Sequence, residues 1–285
     1  MGLIETKETD QFTFEAFASY PFYAGINRSL VQQALSHLET RPANATLTIV
    51  DMACGTGAVT RLIAEEIARQ GRQARIIGVD PSAKALHLAS KSMEEMGAKA
   101  EFIQGETTDL HNIVQNADLA FFCNAIHLLP DKLTAFRQIA SILSPDGIFA
   151  CNSGFYTGTY VAGTERFYRM WTRRAVGWLR KEHPEAQLAR ESKATAMQWL
   201  DPEEYIDQLH QGGFSRVETV QETADIPLDA WRDIGHYWLF IEGALPGVPL
   251  AIGATALGTA VYQAGQEVNM TKVPRTWLQI VAFKG

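Results

Sequence analysis

The chain is 285 residues long, 46% hydrophobic and 20% charged, with a formal net charge of -7. That length buries a core with ease, and the balance is ordinary for a globular protein. The acidic balance argues against a backbone-tracking nucleic-acid binder, which needs a basic stripe; the densest basic patch, Arg169, Arg173, Arg174, Arg180 and Lys181, is followed by acids.

Met1 to Gln11 is polar and acidic without an apolar h-region, so no secretory signal is expected, and residues up to about Asp10 are expected to be mobile. Next comes Phe12 to Tyr23, unusually aromatic for a segment ahead of the first core strand. Asn27 to Leu38 then reads as an amphipathic helix (Leu30, Val31, Ala34, Leu35, Leu38), and Pro42 with Asn44 makes the turn that follows.

Leu47-Thr48-Ile49-Val50-Asp51 is a short β-favouring run that ends in an acid, and Met52-Ala53-Cys54-Gly55-Thr56-Gly57 turns at once. Behind it Val59, Leu62, Ile63, Ile67 and Ala68 recur at helical spacing. A buried strand feeding a tight turn and a helix is the nucleotide corner of a doubly wound sheet. The dinucleotide fingerprint Gly-x-Gly-x-x-Gly fails here, because its third position from Gly55 is Thr60, and no Gly-Lys-Ser/Thr follows. A carboxylate at Asp51 facing the loop would repel a pyrophosphate and favour a cationic ligand. The next apolar run, Ile76 to Val79, ends in Asp80, which the βαβ logic sets on ribose hydroxyls; Pro81 and Ser82 start another helix.

On Asp51, Ala53, Gly55, Gly57 and Asp80 the chain resembles the class I S-adenosylmethionine-dependent methyltransferases. In that family the first acid and the Gly-rich loop hold the aminoacyl half of the cofactor, and the second acid holds the ribose. Ala53 stands where the family more often has Gly, a departure that costs one methyl. The resemblance implies an α/β fold with a seven-stranded, mostly parallel doubly wound sheet, an N-terminal helical flap and helical lid inserts. It also implies S-adenosylmethionine as cofactor and S-adenosylhomocysteine as its product.

The later segments are read with that fold in mind. Glu101 to Gly105 is the third strand, and Glu106 with Thr107 matches the family's adenine-reading loop, although a solvated acidic turn would look the same. Asp118 to Cys123 is a continuous apolar run and reads as a buried fourth strand. It ends in Asn124, expected to face the reacting end of the cofactor, and His127, whose ordinary pKa near neutrality suits a general base. Leu133 to Leu143 reads as a helix, Ser144-Pro145-Asp146-Gly147 as a turn and Ile148 to Asn152 as the fifth strand. Pro202 to Gln211, Phe214 to Gln221 and Trp277 to Phe283 read as the remaining core helix and two strands.

The expected organisation is therefore a flap over 1–40, a cofactor-binding core over 41–154, a lid insert over 155–200, core helix and strand over 201–221, a second lid insert over 222–275 and a final strand over 276–285. By resemblance, Tyr20 and Tyr23 are candidates to close the site, Tyr23 on the cofactor and Tyr20 on the substrate, and Pro81 joins the cofactor residues. The inserts add Tyr156, Trp171 and Tyr237 as substrate candidates, and Tyr156, His127 and His236 as catalytic ones. Aromatic stripes at such helical spacing are more often plain core than a pocket. Tyr237 to Tyr262 is apolar apart from Glu242, but Pro246 and Pro249 break it, so no membrane span is expected.

The three cysteines, Cys54, Cys123 and Cys151, form no CxxC and read as reduced residues of a cytoplasmic protein; the seven histidines lack metal-ligand spacing, so no metal is expected. The function expected is methyl transfer to an O, N or C nucleophile of an apolar small molecule, a specialised metabolite of natural product biosynthesis. A lipid or quinone acceptor and a non-catalytic S-adenosylmethionine-binding regulator are the alternatives. RNA methylation is disfavoured on charge, and a homo-oligomer is left open.

Overall fold

The computed structural model describes residues 9–39, 41–42, 44–186, 188–189 and 199–285. Residues 1–8, within the segment expected to be mobile, and 190–198 of the first expected insert lie outside the described residues. In chain order the helices are α1 (Glu15–Ala18), α2 (Pro21–Ser36), α3 (Ala58–Arg69), α4 (Ala83–Glu95), α5 (Leu110–Ile113), α6 (Lys132–Ile142), α7 (Glu165–Glu182), α8 (Pro202–Gln211), α9 (Leu228–Ile234), α10 (Trp238–Ala244) and α11 (Leu250–Val268). The strands are β1 (Thr46–Met52), β2 (Gln73–Asp80), β3 (Glu101–Gln104), β4 (Ala117–Cys123), β5 (Leu143–Ser153), β6 (Phe214–Pro227) and β7 (Lys272–Lys284).

These strands form one seven-stranded sheet in the order β3-β2-β1-β4-β5-β7-β6. The pairs β1–β2, β1–β4, β2–β3 and β4–β5 are parallel, while β7 runs antiparallel to β5. The strand order reverses at β1/β4, the topological switch point beside which ligands bind in such sheets. This is the mostly parallel, doubly wound α/β fold expected from the sequence.

The chain divides into two compact units. The first comprises Ala24–Thr157, Leu200–Glu222 and Trp277–Gly285. The central strands β1, β4 and β5 are buried on both faces, and they show this with period two. Leu47 and Ile49 of β1, Leu119 and Phe121 of β4, and Ile148 and Ala150 of β5 join Leu30 and Leu35 of α2 and Leu62 and Ile63 of α3. The alternate residues Val50, Met52, Ala120, Phe122, Phe149 and Cys151 join Phe136 and Ile139 of α6 and Tyr205 and Leu209 of α8. Such near-continuous apolar strands are stable only between two helical layers.

Two boundaries differ from the sequence expectation. The turn Ser144–Gly147 is absorbed into β5 as an irregularity: Leu143 pairs with Ala117, and regular pairing resumes at Ile148 with Leu119. The final strands β6 and β7 are also longer than expected, since backbone pairing outruns the apolar segments that mark them in the sequence.

The second unit comprises Met1–Tyr23, Gly158–Trp199 and Thr223–Thr276. Its core is helical. Phe167, Trp171, Ala175 and Leu179 recur along one face of α7 and are buried, as are Ala254, Leu257, Val261 and Ala264 of α11. Trp171 Nε1 donates to the Leu257 carbonyl at 2.8 Å, which ties the two helices. The apolar Tyr237 to Tyr262 stretch is thus spent on α10, α11 and this core. Among the described residues no helix is long and apolar enough to cross a membrane. The aromatic N-terminal segment belongs here as well: Phe17 and Tyr23 are buried, and Phe14 lies 5.3 Å from the Tyr237 ring, centroid to centroid. An added Cβ at Gly147 would sit 2.8 Å from Leu143 Cβ and 3.0 Å from the Ala117 and Ser144 carbonyl oxygens, whereas none of α7's neighbours lies within 4 Å of one at Gly177. Gly147→Ala should therefore cost about 1–3 kcal/mol in urea unfolding, while Gly177→Ala should add about 0.5–1 kcal/mol.

Candidate cofactor site

The loop after β1 is held in a conformation that ordinary residues avoid. Ala53, Gly55 and Gly57 all have positive φ, at 51°, 53° and 83°. The Gly57 N–H closes a tight turn on the Cys54 carbonyl at 2.9 Å, and Gly57 then caps α3. A Cβ at Gly57 would press on Ala89 at 3.0 Å, so this glycine lets the loop pass close over α4. At Gly55 nothing lies within 4 Å of an added Cβ, so its backbone borders open space. Ala53 is the exception to the sequence reading. Its departure from glycine adds backbone strain as well as a methyl, about 1–2 kcal/mol for an L-residue in the left-handed region.

Asp80 fastens this loop. Its Oδ2 accepts the Gly55 N–H at 2.8 Å and its Oδ1 accepts the Ser82 N–H at 2.9 Å. The Cys54 N–H donates to the Val79 carbonyl at 3.2 Å, and the Gly105 N–H to the Asp80 carbonyl at 3.2 Å. Gln104 Nε2 reaches the Pro81 carbonyl at 2.9 Å. The ends of β1, β2 and β3 are thus stitched around one carboxylate.

Asp51 is placed differently from the expectation. Its carboxylate is buried rather than facing the loop, and its Oδ2 accepts from Thr60 Oγ1 at 2.6 Å. Thr60 is the residue that breaks the dinucleotide fingerprint, and here it serves as the partner of the acid. Burial raises the Asp51 pKa to about 7 and repulsion from Asp80 adds to the rise, while the Thr60 bond opposes it. The corner therefore carries Asp80 as one acid and Asp51 as a second that is close to half ionised at neutral pH.

Glu106 and Thr107 begin the loop after β3. The Glu106 carboxylate is committed to a capping box: it accepts the Asp109 N–H, and the Glu106 N–H donates to Asp109 Oδ2 at 2.9 Å. The acid expected on an adenine edge is thus turned back onto its own loop, and Thr107 and the loop backbone stand beside it.

At the end of β4, Asn124 sits at φ 57°. Its side chain is directed into the protein rather than toward a ligand, as the sequence reading had it. Asn124 Oδ1 accepts from Trp277 Nε1 at 2.8 Å, and its Nδ2 donates to Asn27 Oδ1 at 3.0 Å. Asn27 Oδ1 also accepts from Asn152 Nδ2 at 3.0 Å, and the Asn124 N–H donates to Asn152 Oδ1 at 3.0 Å. Asn27, Asn152 and Trp277 were missed by sequence reasoning. The available signal was an asparagine at an otherwise apolar buried position, twice. His127 is buried, its Nδ1 lies 3.0 Å from Ser153 Oγ, and its ring is 4.5 Å from that of Phe155. Tyr156, a catalytic and substrate candidate from the sequence, is fully buried within the core cluster of β5 and α8.

The remaining sequence candidates belong to the second unit. Tyr20 donates to Asp233 Oδ2 at 2.8 Å, and burial with that bond pushes its pKa up to about 12. Tyr23 packs edge-on against Phe14 with ring centroids 5.5 Å apart. Trp171 is buried: it stacks on Phe240 at 5.4 Å and its one polar atom is bonded to the Leu257 carbonyl. Tyr237 is half-buried and His236 is exposed between α9 and α10. Among the described residues no cluster of His, Cys, Asp or Glu could hold a metal ion.

Residues 49–147 match the family model described as a methyltransferase domain. A demethylmenaquinone methyltransferase of Lactococcus lactis is 31% identical over 106 residues, 37% of this chain and 41% of that protein. A trans-aconitate 2-methyltransferase of Afipia carboxidovorans is 34% identical over 121 residues, 39% of this chain and 43% of that protein. The chain thus spans about two-fifths of the length of these curated relatives. The YcgJ protein of Bacillus subtilis shares the fold, with a TM-score of 0.55 and 16% identity over 90% of this chain and 98% of that one. The matched core is thus similar to a methyltransferase domain, and the fold is one shared with YcgJ.

Two outcomes test the corner. Unfolded aspartate titrates near about 3.9, so with its folded pKa raised to about 7 Asp51 adds stability that is complete below the unfolded value and lost as pH rises through about 7. Asp51→Asn, neutral throughout, should match the parent in thermal melts at about pH 4 and exceed it at about pH 8; an equal gap at both would remove Asp51 as the cause. Ala53→Gly should stabilise by up to about 1 kcal/mol, strain relief outweighing the entropy of a glycine.

Proposed function

We propose that this chain transfers the methyl group of S-adenosylmethionine to an oxygen, nitrogen or carbon nucleophile of a small molecule. The observation that carries the reading is the Asp80 carboxylate at the end of β2, which fastens the loop after β1 beside a Gly55 backbone that borders open space. The residues present fit the cofactor. Asp80 would accept the ribose hydroxyls, the Ala53–Gly57 backbone would lie along the aminoacyl part, and Pro81 with Thr107 and the Glu106 backbone would flank the adenine. Bound there, the cofactor supplies an electrophilic methyl on a positively charged sulfur, whose thioether leaves without a proton. Asp51 suits such a ligand, since a nearby cation favours its ionised form.

The chain's own contribution is chiefly one of position. Holding a nucleophile in line and in contact can supply about 7–11 kcal/mol. A base is needed only where the nucleophile carries a proton that must leave, worth about 10²–10⁴-fold. His127 is the candidate within this unit. Its Nδ1 is engaged with Ser153, so its Nε2 would have to take the proton. His236 is exposed and is kept as the second candidate.

The acceptor is read as an apolar metabolite of natural product biosynthesis, met in the cytoplasm; the aromatic segments outside the matched core support this. A quinone acceptor is the second reading, supported by similarity to a demethylmenaquinone methyltransferase. Turnover of labelled S-adenosylmethionine against acceptor panels of each kind tests these. Binding without turnover on any panel would favour a regulator. Asp80→Ala should weaken S-adenosylhomocysteine binding in calorimetry by about 1.5–3 kcal/mol, and an unchanged dissociation constant in a folded variant would overturn the assignment.

A further inference from the structure

The second unit carries a cleft that the methyl-transfer reading does not use. It measures about 560 Å³ and is lined by Tyr160, Glu165, Tyr168, Arg169, Thr172 and Arg173. The last five lie on α7 at i, i+3, i+4, i+7 and i+8, one continuous stripe of the helix surface. The face that carries Phe167, Trp171, Ala175 and Leu179 is buried, so the stripe is the side left to solvent.

The stripe is cationic, in a chain whose net charge is -7. Arg169 and Arg173 are exposed and, among the described residues, neither makes an ion pair, whereas their neighbour Arg174 is paired with Glu267. The one acid of the lining is occupied, since Glu165 Oε2 accepts the Gly163 N–H at 2.9 Å. Two guanidinium forks therefore face the cleft with their donors available for an anion.

The aromatic side of the cleft is fixed in place. Tyr160 is 41% exposed, rare for a large ring in this chain. Its backbone pairs with Arg275, and the adjoining Thr159 is buried and donates through Oγ1 to the Thr276 carbonyl at 2.9 Å. Tyr160 and Tyr168 lie 4.6 Å apart, centroid to centroid. Beneath them the Arg275 guanidinium, 3% exposed, is held among the rings of Tyr160, Tyr168, Trp199 and Trp231 at 5.4–5.7 Å. Arginine does not lose its proton in proteins, so this is a permanent positive charge behind an exposed aromatic platform. The rings stabilise the buried cation and the cation in turn fixes the rings.

We infer that this cleft binds a flat aromatic anion, its ring against Tyr160 and Tyr168 and its carboxylate or phosphate on Arg169 and Arg173. A neutral aromatic would leave the guanidinium pair unused, and a non-aromatic anion would leave the platform empty. The site lies wholly within one unit and does not rest on the methyl-transfer reading.

Calorimetry on the full chain with 2-naphthoate and 2-naphthol tests it without any turnover. Naphthoate should saturate one site and bind about tenfold tighter than naphthol. Arg169→Ala and Arg173→Ala should each weaken naphthoate by about tenfold and leave naphthol unchanged. Tyr160→Ala should weaken both ligands, and Arg174→Ala, on α7 but turned away from the stripe and paired with Glu267, should change neither. All four positions are exposed, and thermal melts of the variants would show that the fold is kept. Equal affinity for the two ligands, indifference to both arginine substitutions, or no saturable naphthoate binding would each overturn the proposal.

Discussion

One carboxylate holds the cofactor corner together. Asp80 ends the apolar β2 run and spends one oxygen on the Gly55 N–H and the other on the Ser82 N–H. A carboxylate that accepts backbone donors is among the stronger hydrogen-bonding arrangements available. Through it the loop after β1 and the start of α4 are set by one group. The Gly105 N–H on the Asp80 carbonyl brings the third loop into the same knot.

That corner is also where the chain departs from its own stability optimum. Ala53 occupies left-handed backbone space that glycine would occupy without strain. Asp51 lies buried with Thr60 as its hydrogen-bond partner, and desolvation lifts its pKa to about 7. Strained backbone and an acid poised near neutrality both cost folding energy. Functional sites concentrate features of both kinds: the strained loop exposes its backbone, and the acid gains charge when a cation approaches.

The far side of the same strand ends is held by neutral groups. Asn27, Asn124, Asn152 and Trp277 exchange their polar atoms among themselves, and Asn124 tolerates the left-handed conformation that ends β4. A closed network of this sort costs little when satisfied and much when broken, so it fixes α2 against β4, β5 and β7. In the second unit the aromatic residues do two distinct things. Trp171 and Phe167 fill the seam under α7, while Tyr160 and Tyr168 surround a buried arginine and border open solvent.

The parallel sheet and its switch point were legible in the residues, because apolar runs ending in Asp51, Asp80 and Cys123 alternate with helical spacing. The glycine loop was legible too, since positive φ leaves few residue choices. Side-chain direction was not. Glu106 turns to cap its own loop, Asn124 turns inward to Trp277, and Asp51 pairs with Thr60, because each finds a partner distant in sequence or a backbone donor that no pattern announces. Nor could the sequence separate Trp171, sealed against Leu257, from Tyr160, left open on a cleft; the same aromatic spacing serves both. Local periodicity decides which residues form an element and which face is apolar. Only the packed tertiary structure decides what meets that face, and hence which rings and charges remain available to a ligand.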